Sequence, residues 1–201
     1  MEQGVDDLAT IKRDAKRNVI VVLGLVASLW LVAVINVAAS GYLLRFGVTP
    51  RTTHGLIGIP LHPFLHVGLL HLLLNSVGLV LLGGLVMMRE ERDFWVASIL
   101  GTFVAGLGIW LVGRHGVHVG ASTVVFAYFG YLLATGWYDR RVGAILLSLS
   151  VFVLWGSLLF GMLPTQVAVS WEGHVFGFIG GVFTAWLRGY RLRTAGGLTS
   201  A

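Results

Sequence analysis

The feature that most constrains this chain is a series of long segments without a single charged side chain. These segments cover residues 18–44, 52–88, 94–113, 115–138, 142–171 and 173–187. A helix that crosses a bilayer needs about 20 mostly apolar residues, because each residue advances about 1.5 Å along the helix axis. The segments therefore predict six membrane-spanning helices, at 19–41, 65–88, 94–113, 121–138, 142–162 and 171–188.

The composition excludes the other broad classes of protein. Charged residues make up 11% of the 201 residues and hydrophobic residues 56%, whereas a soluble domain devotes about a quarter of its residues to charge. So apolar a chain is neither a water-soluble globular domain nor a disordered one. The absence of cysteine excludes disulfides, thiolate metal ligands and a cysteine nucleophile.

The basic residues are distributed unequally between the two ends of the predicted helices. Eleven of the 14 lysines and arginines fall on one side, and the exceptions are Arg45, Arg51 and Arg114. Positive residues favour the cytoplasmic side, so both termini are predicted to be cytoplasmic. The sequence thus predicts a cytoplasmic leader at 1–18, an all-α polytopic membrane domain at 19–188 and a cytoplasmic tail at 189–201. Topology and contact with anionic lipid explain the net charge of +5, so no nucleic-acid partner is predicted.

The loop between the first two predicted helices, residues 42–64, has a composition of its own. Prolines and glycines lie in and beside it, at Gly41, Gly47, Pro50, Gly55, Gly58, Pro60 and Pro63. These residues break helices, so a continuous helix is not predicted here. Other side chains of the loop, Leu56 and Ile57 among them, are apolar, which predicts a loop lying in the membrane interface rather than in water.

Polar side chains stand near the outer ends of the second, fourth and sixth predicted helices. They are His66, His71, Asn75, Ser122, Glu172 and His174. Ionisable groups within spanning helices are energetically costly and generally mark a functional site. All three helices begin on the outer side in the predicted orientation, so these groups share one depth. The simpler interpretation is that each group hydrogen-bonds a neighbouring helix.

Ser122 and His174 are the candidates for nucleophile and base. Ser122 lies in the first turn of its helix, where free N–H groups and the positive end of the helix dipole favour an oxyanion. A lone serine more commonly bonds back to the carbonyl four residues earlier, here that of His118. His174 heads a stripe with Gly177 and Gly181, and such small residues let another helix approach closely. If that helix is the fourth, His174 reaches Ser122.

Taken together, these motifs resemble those of the rhomboid intramembrane serine proteases. The motifs are His66-x4-His71-x3-Asn75, Gly120-x-Ser122 and His174-x2-Gly177-x3-Gly181, in that order on the second, fourth and sixth helices. The resemblance extends from Arg51 to Arg188 and implies a six-transmembrane-helix rhomboid-like bundle with both termini cytoplasmic.

The resemblance also implies roles for individual residues. Ser122 would be the nucleophile and His174 the general base of a Ser–His dyad, which needs neither a cofactor nor a metal. His71 and Asn75 would help the backbone N–H of Ser122 to hold the oxyanion. Phe126 would pack against the catalytic histidine.

Further positions of the resemblance concern the surroundings of the dyad. His66 would be structural, Glu172 would face water at the rim of the site, and the loop 42–64 would be the partly embedded first loop. The chain departs from the family pattern at Thr123, where a glycine usually follows the nucleophile. A side chain there would crowd the substrate carbonyl or shift the Ser122 amide. The Trp-Arg pair of the first loop is also missing, and Arg51 and His54 are the nearest polar residues.

The implied function is hydrolysis of peptide bonds in or near transmembrane helices of other membrane proteins. The substrates would be transmembrane-helix proteins, and the enzyme would lie, surrounded by lipid, in the cell membrane of a prokaryote. The alternative is a rhomboid-like pseudoprotease that binds client transmembrane helices without cleaving them, for which Thr123 is the only support.

The sequence also disfavours two further classes of protein. A metal or haem site would need His66, His71 and His174 together, but the first two would lie about 140° apart on a helix. A transporter is disfavoured because the chain shows neither an internal repeat nor carboxylates buried within its helices.

Overall fold

The computed structural model describes residues 2–166 and 169–197, and this part of the chain is helical, with no strand. Its α-helices are α1 (Glu2–Ala38), α2 (Thr53–Leu61), α3 (Leu69–Gly78), α4 (Gly84–Arg89), α5 (Glu91–Val112), α6 (Ser122–Asp139), α7 (Val142–Trp155) and α8 (Trp171–Gly197). A π-helical turn, Leu79–Gly83, joins α3 to α4, and 3-10 helices cover Tyr42–Phe46, His62–Phe64 and Gly156–Met162. The all-α prediction is confirmed.

Within the residues that the structure describes, four helical segments are long and apolar enough to cross a membrane. They are Thr10–Ala38, Leu69–Arg89, Glu91–Val112 and Val142–Met162. These segments match the first, second, third and fifth predicted helices, while α6 and α8 take the places of the fourth and sixth. The count of six spans, the orientation of the termini and the boundaries 1–18, 19–188 and 189–201 stay predictions.

Helix α6 is the central element of the bundle, and this position explains its composition. Eleven of its 18 residues are buried, so its surface meets protein rather than lipid. Two of its tyrosines hydrogen-bond to α5, with 2.6 Å between the hydroxyls of Tyr128 and Ser98 and 2.7 Å from the Tyr131 hydroxyl to Asp93 Oδ2. Such polar side chains lower the mean hydropathy of a helix without exposing a polar group to lipid.

Helices α6 and α8 pack with their backbones in contact. A Cβ atom added to Gly177 would collide with the carbonyl of Thr123, and one added to Gly181 would collide with the carbonyl of Ala127. The close approach that the glycine stripe predicted is therefore present, and the fourth predicted helix is the partner. This packing brings the first turns of α6 and α8 together.

The first loop contains more regular structure than the sequence predicted. Helix α2 forms within it because Thr52 caps the first turn, accepting a hydrogen bond from the Gly55 N–H at 3.0 Å. Glycines let α2 lie against the preceding chain, since a Cβ on Gly55 or on Gly58 would collide with the backbone of Thr49 or of Gly47. The prolines and glycines do prevent one continuous helix through the loop, but Gly55 and Gly58 also allow the short helix α2 to pack closely.

The guanidinium of Arg51 fastens this loop to the end of α5. It donates to the carbonyls of Leu111 and Gly113, at 3.3 and 3.0 Å. In return, the indole N–H of Trp110 donates to the carbonyl of Thr52 at 2.7 Å. Arg51 thus anchors the loop.

The expectation that no carboxylate is buried within the helices is wrong. Asp93 and Asp139 are buried at the end of the bundle opposite Ser122. Arg188 binds both, with Nη1 2.8 Å from Asp93 Oδ2 and Nε 3.1 Å from Asp139 Oδ2, and Arg89 and Arg191 complete the cluster. Each carboxylate is neutralised by arginines from other segments, a pairing that charge counting along the chain does not reveal.

Candidate active site

Ser122 and His174 face each other from the N-terminal turns of α6 and α8. His174 Nε2 lies 2.9 Å from Ser122 Oγ, and His174 Nδ1 lies 2.8 Å from the carbonyl oxygen of Gly161. A carbonyl only accepts, so the proton is assigned to Nδ1 and the free lone pair of Nε2 faces the serine hydroxyl. Both side chains are half-buried. This is the geometry of a nucleophile hydrogen-bonded to its general base.

The aromatic contact expected for Phe126 is present. Its ring stacks on the imidazole of His174, with centroids 4.0 Å apart and planes 9° from parallel. Gly161 completes the enclosure, because a Cβ there would lie 3.1 Å from Phe126 Cζ and 3.3 Å from His174 Nδ1. The imidazole is thereby held by one hydrogen bond along its plane and by one ring against its face.

His71 and Asn75 lie beside the backbone that leads into Ser122. Gly120 has φ +121°, and a Cβ there would be 2.6 Å from His71 Cε1 and 3.4 Å from Asn75 Nδ2. Asn75 Nδ2 is buried and has no hydrogen-bond partner among the described residues. Buried donors are rarely left unpaired, so this amide is available to an oxygen that enters the site.

His66 touches the same segment from the turn between the 3-10 helix His62–Phe64 and α3. Its Nε2 accepts a hydrogen bond from the backbone N–H of Ala121 at 3.3 Å, and its ring meets that of His71 edge to face at 5.1 Å. It is buried. His66 thus supports the residue before Ser122, in keeping with the structural role expected of it.

The prediction that Glu172 faces water is wrong. Glu172 is completely buried, and its Oε1 accepts from Arg114 Nε at 2.9 Å and from the Arg114 backbone N–H at 3.1 Å. The arginine precedes α6 in the chain, so the ion pair ties the α5–α6 connection to the start of α8. Glu172 does not orient His174, whose Nδ1 is already bonded to Gly161.

His62 is a residue of the site that sequence reasoning missed. It is buried, with Nδ1 2.8 Å from the carbonyl oxygen of Ile59 and Nε2 3.1 Å from Thr123 Oγ1. Burial in this apolar loop lowers the pKa of the imidazole from 6.5 to about 4. The available signal was a histidine in an apolar loop together with an unusual hydroxyl at position 123. The Thr123 hydroxyl is engaged by His62, not turned against Ser122.

The arrangement offers nucleophile and base chemistry rather than a cluster of metal ligands. Among the described residues, no group of three or more histidine, cysteine or acidic side chains is placed to hold a metal ion. The ring nitrogens of His174 are occupied by Gly161 and Ser122.

Comparison with known proteins places these observations in a family. The Rhomboid domain family matches residues 53–191. An uncharacterized protein of Mycobacterium tuberculosis is 34% identical over 176 residues, which cover 83% of this chain and 73% of that protein. An uncharacterized protein of Mycobacterium leprae is 32% identical over 178 residues, 84% of this chain and 70% of that protein. RHOMBOID-like protein 5 of Arabidopsis thaliana is 33% identical over 132 residues, 60% of this chain and 40% of that protein. With its membrane-length apolar helices, the chain is a polytopic integral membrane protein of the rhomboid family.

Proposed function

We propose that this protein is an intramembrane serine endopeptidase that hydrolyses peptide bonds in or near transmembrane helices of other membrane proteins. The observation that carries the proposal is the 2.9 Å contact between Ser122 Oγ and His174 Nε2. Membership of the rhomboid family supports it, because that family consists generally of serine proteases that act within membranes.

In the proposed reaction, Ser122 Oγ attacks the carbonyl carbon of the scissile bond while His174 Nε2 takes the hydroxyl proton. The tetrahedral intermediate collapses, the C–N bond breaks, and the proton passes from His174 to the departing amine. An acyl group then remains on Ser122. A water molecule, deprotonated by His174, attacks this ester and releases the acid, which restores the serine hydroxyl.

The oxyanion of the tetrahedral intermediate needs hydrogen-bond donors beside Ser122. The backbone N–H of Ser122 is one, because the first N–H groups of a helix have no partner within the helix. The amide of Asn75 is another candidate, since it is buried and unpaired beside Gly120. His71 lies next to it and completes the proposed set.

We further propose the six-span topology with both termini in the cytoplasm. The distribution of basic residues supports this orientation, and the mycobacterial relatives support the cell membrane of a prokaryote as the location. Ser122 would then lie below the outer surface, where half-buried polar groups admit water. A substrate helix must unwind locally to present its carbonyl, so helix-weakening residues near the cleaved bond are expected.

A pseudoprotease that binds client helices remains the second candidate, but it is not favoured. Its support was Thr123 in place of glycine. The bond between Thr123 and His62 gives this side chain a local role that does not require loss of catalysis.

Cleavage of a single-pass membrane protein by purified protein in liposomes tests the proposal. We expect cleavage by the wild type and a loss of at least about 10³-fold in Ser122→Ala and in His174→Ala. Ser28→Ala is the matched control, because Ser28 is a membrane-helix serine whose hydroxyl donates to the Leu25 carbonyl of its own helix. Unchanged cleavage in Ser122→Ala would overturn the proposal, and retained co-purification of uncut client helices would favour the pseudoprotease.

A further inference from the structure

We infer that His62 and Thr123 form a positioning pair through which the first loop fixes the backbone around the nucleophile. The inference rests on the proposed function, since it assigns these residues to the turn that carries Ser122. Neither residue touches the substrate; each acts through the placement of Ser122 and of its backbone N–H.

The first observation is that His62 holds the chain on both sides of Ser122. Its backbone carbonyl accepts from the Gly120 N–H at 2.8 Å, two residues before the nucleophile. Its ring Nε2 lies 3.1 Å from Thr123 Oγ1, one residue after it. One residue of the first loop thus brackets the first turn of α6.

The second observation concerns the direction of the side-chain bond. His62 Nδ1 lies 2.8 Å from the carbonyl oxygen of Ile59, which only accepts, so Nδ1 carries the proton. Nε2 is then an acceptor, and the Thr123 hydroxyl donates to it. His62 is 1% exposed and Thr123 3%, so no water can replace either partner, and removing one leaves a buried polar atom unsatisfied.

The third observation is that Ala121, which lies between these contacts, is bonded to the turn that directly follows the first loop. The N–H of Ala121 donates to His66 Nε2 at 3.3 Å. The segment 62–66 therefore hydrogen-bonds to Gly120, Ala121 and Thr123. The side chain of Ser122, which lies among them, bonds to His174 instead. The position of Ser122 relative to His174 thus depends on the first loop.

The bond matters for the reaction because of what lies next to Thr123. The N–H of Ser122 is the proposed oxyanion donor, and donors of this kind act mainly in the transition state. A shift of the Ser122–Thr123 backbone therefore lowers kcat and leaves KM nearly unchanged. The pair also stands against the expectation that the Thr123 side chain crowds the substrate carbonyl or shifts the Ser122 amide. Thr123→Gly would leave His62 Nε2 without its donor and slow the enzyme.

The test is a double-mutant cycle with the variants Thr123→Val and His62→Phe, which keep side-chain size while removing the donor or the acceptor. We expect each single variant to lower kcat about tenfold or more, with KM within about twofold, and the double variant to be no slower than the slower single one. Thr123→Ser keeps the hydroxyl and should restore kcat to within about threefold of wild type. Thr135→Val is the matched control, because Thr135 is a buried threonine of the same helix whose hydroxyl donates to the Tyr131 carbonyl.

A second readout separates this inference from the proposed function and from simple unfolding. A fluorophosphonate probe measures the reactivity of Ser122 per folded molecule, with Ser122→Ala as the blank. Probe labelling that Thr123→Val slows and Thr123→Ser restores supports the pair. If the labelling rate and kcat of Thr123→Val equal those of Thr135→Val, the positioning role of His62 and Thr123 is overturned. The proposed function is not affected by that result. No Ser122-dependent labelling and no cleavage by the wild type overturn both.

Discussion

His174 takes its orientation from the main-chain carbonyl of Gly161, which lies 2.8 Å from Nδ1. In a Ser-His-Asp triad, a carboxylate orients the histidine. Here the acidic side chain close to His174 in sequence, Glu172, is bound to Arg114 instead. A carbonyl holds the tautomer by geometry alone and adds no negative charge beside the imidazole. The position of the 3-10 helix that carries Gly161 therefore sets the direction of Nε2.

Gly161→Ala is predicted to lower activity through this relationship. The added Cβ would meet Phe126 Cζ at 3.1 Å and His174 Nδ1 at 3.3 Å, so the carbonyl and the imidazole must move apart by a few tenths of an ångström. We expect kcat to fall about tenfold, because proton transfer depends on that alignment. Gly156→Ala is the control in the same 3-10 helix, since its Cβ meets only Phe152, at 3.8 Å or more. Equal kcat in the two variants would contradict the prediction.

Asn75→Ala is predicted to separate catalysis from stability. The Asn75 amide nitrogen has no hydrogen-bond partner among the described residues, so its removal deletes no observed hydrogen bond of that group from the folded state. We expect kcat to fall about 10²-fold, the effect of losing one oxyanion donor, with the thermal midpoint in detergent nearly unchanged. Asn36→Ala is the contrasting control, because Asn36 Oδ1 accepts from the Leu43 N–H at 3.0 Å. Asn36→Ala should lose stability and keep kcat. If Asn75→Ala instead loses stability and keeps kcat, Asn75 is excluded as an oxyanion donor.

The Arg114–Glu172 pair is predicted to respond unequally to the loss of its two members. Glu172 is completely buried, whereas the Arg114 side chain is 39% exposed. Arg114→Ala leaves a carboxylate in the protein interior, which costs about 3 kcal/mol or more of unfolding free energy. Glu172→Ala leaves an arginine that water reaches, so a smaller loss is expected. Denaturant midpoints in detergent measure the difference, with the exposed Arg45→Ala as control, and equal losses would contradict the ion-pair assignment.

The stability of the first loop is predicted to depend on pH through His62. Its pKa is about 4 in the folded protein against 6.5 in the unfolded chain, so the unfolded chain binds the extra proton between these values. The stabilisation from the neutral, buried imidazole is full above pH 6.5 and is lost as the pH falls towards 4, by about 3 kcal/mol in total. Thermal midpoints between pH 4 and 7 should fall less steeply in His62→Phe than in wild type, and parallel slopes would contradict the assignment.

The extents of the long helices follow from the sequence because a bilayer imposes a length and excludes charge. The predicted boundaries lie within a few residues of both ends of α5, of the end of α1 and of the start of α7. Helix α1, however, already begins at Glu2, and α7 ends at Trp155, where a 3-10 helix continues to Met162. The meeting of Ser122 and His174 was predictable for a different reason. The glycines at 177 and 181 leave room for a helix backbone, so the side chain at the head of that stripe must face the neighbouring helix.

Contacts between residues far apart in the chain could not be predicted in the same way. Glu172 resembles an exposed charge until Arg114, 58 residues earlier, is placed beside it. His62 and Thr123 are 61 residues apart in the chain, and only the packing of the 3-10 helix His62–Phe64 against α6 brings the two together. Neither pairing leaves a periodic pattern, because both partners lie in or next to loops and turns whose position depends on the whole fold.

The most direct test of the central claim is to identify the residue that a fluorophosphonate modifies in the wild-type protein. We expect one adduct, located by mass spectrometry on the peptide that contains Ser122, and its loss in His174→Ala because the base is then missing. The control Ser28→Ala should keep the adduct. An unmodified Ser122 in folded wild-type protein, or an adduct that forms equally fast without His174, would contradict the assignment of Ser122 as nucleophile and His174 as its base.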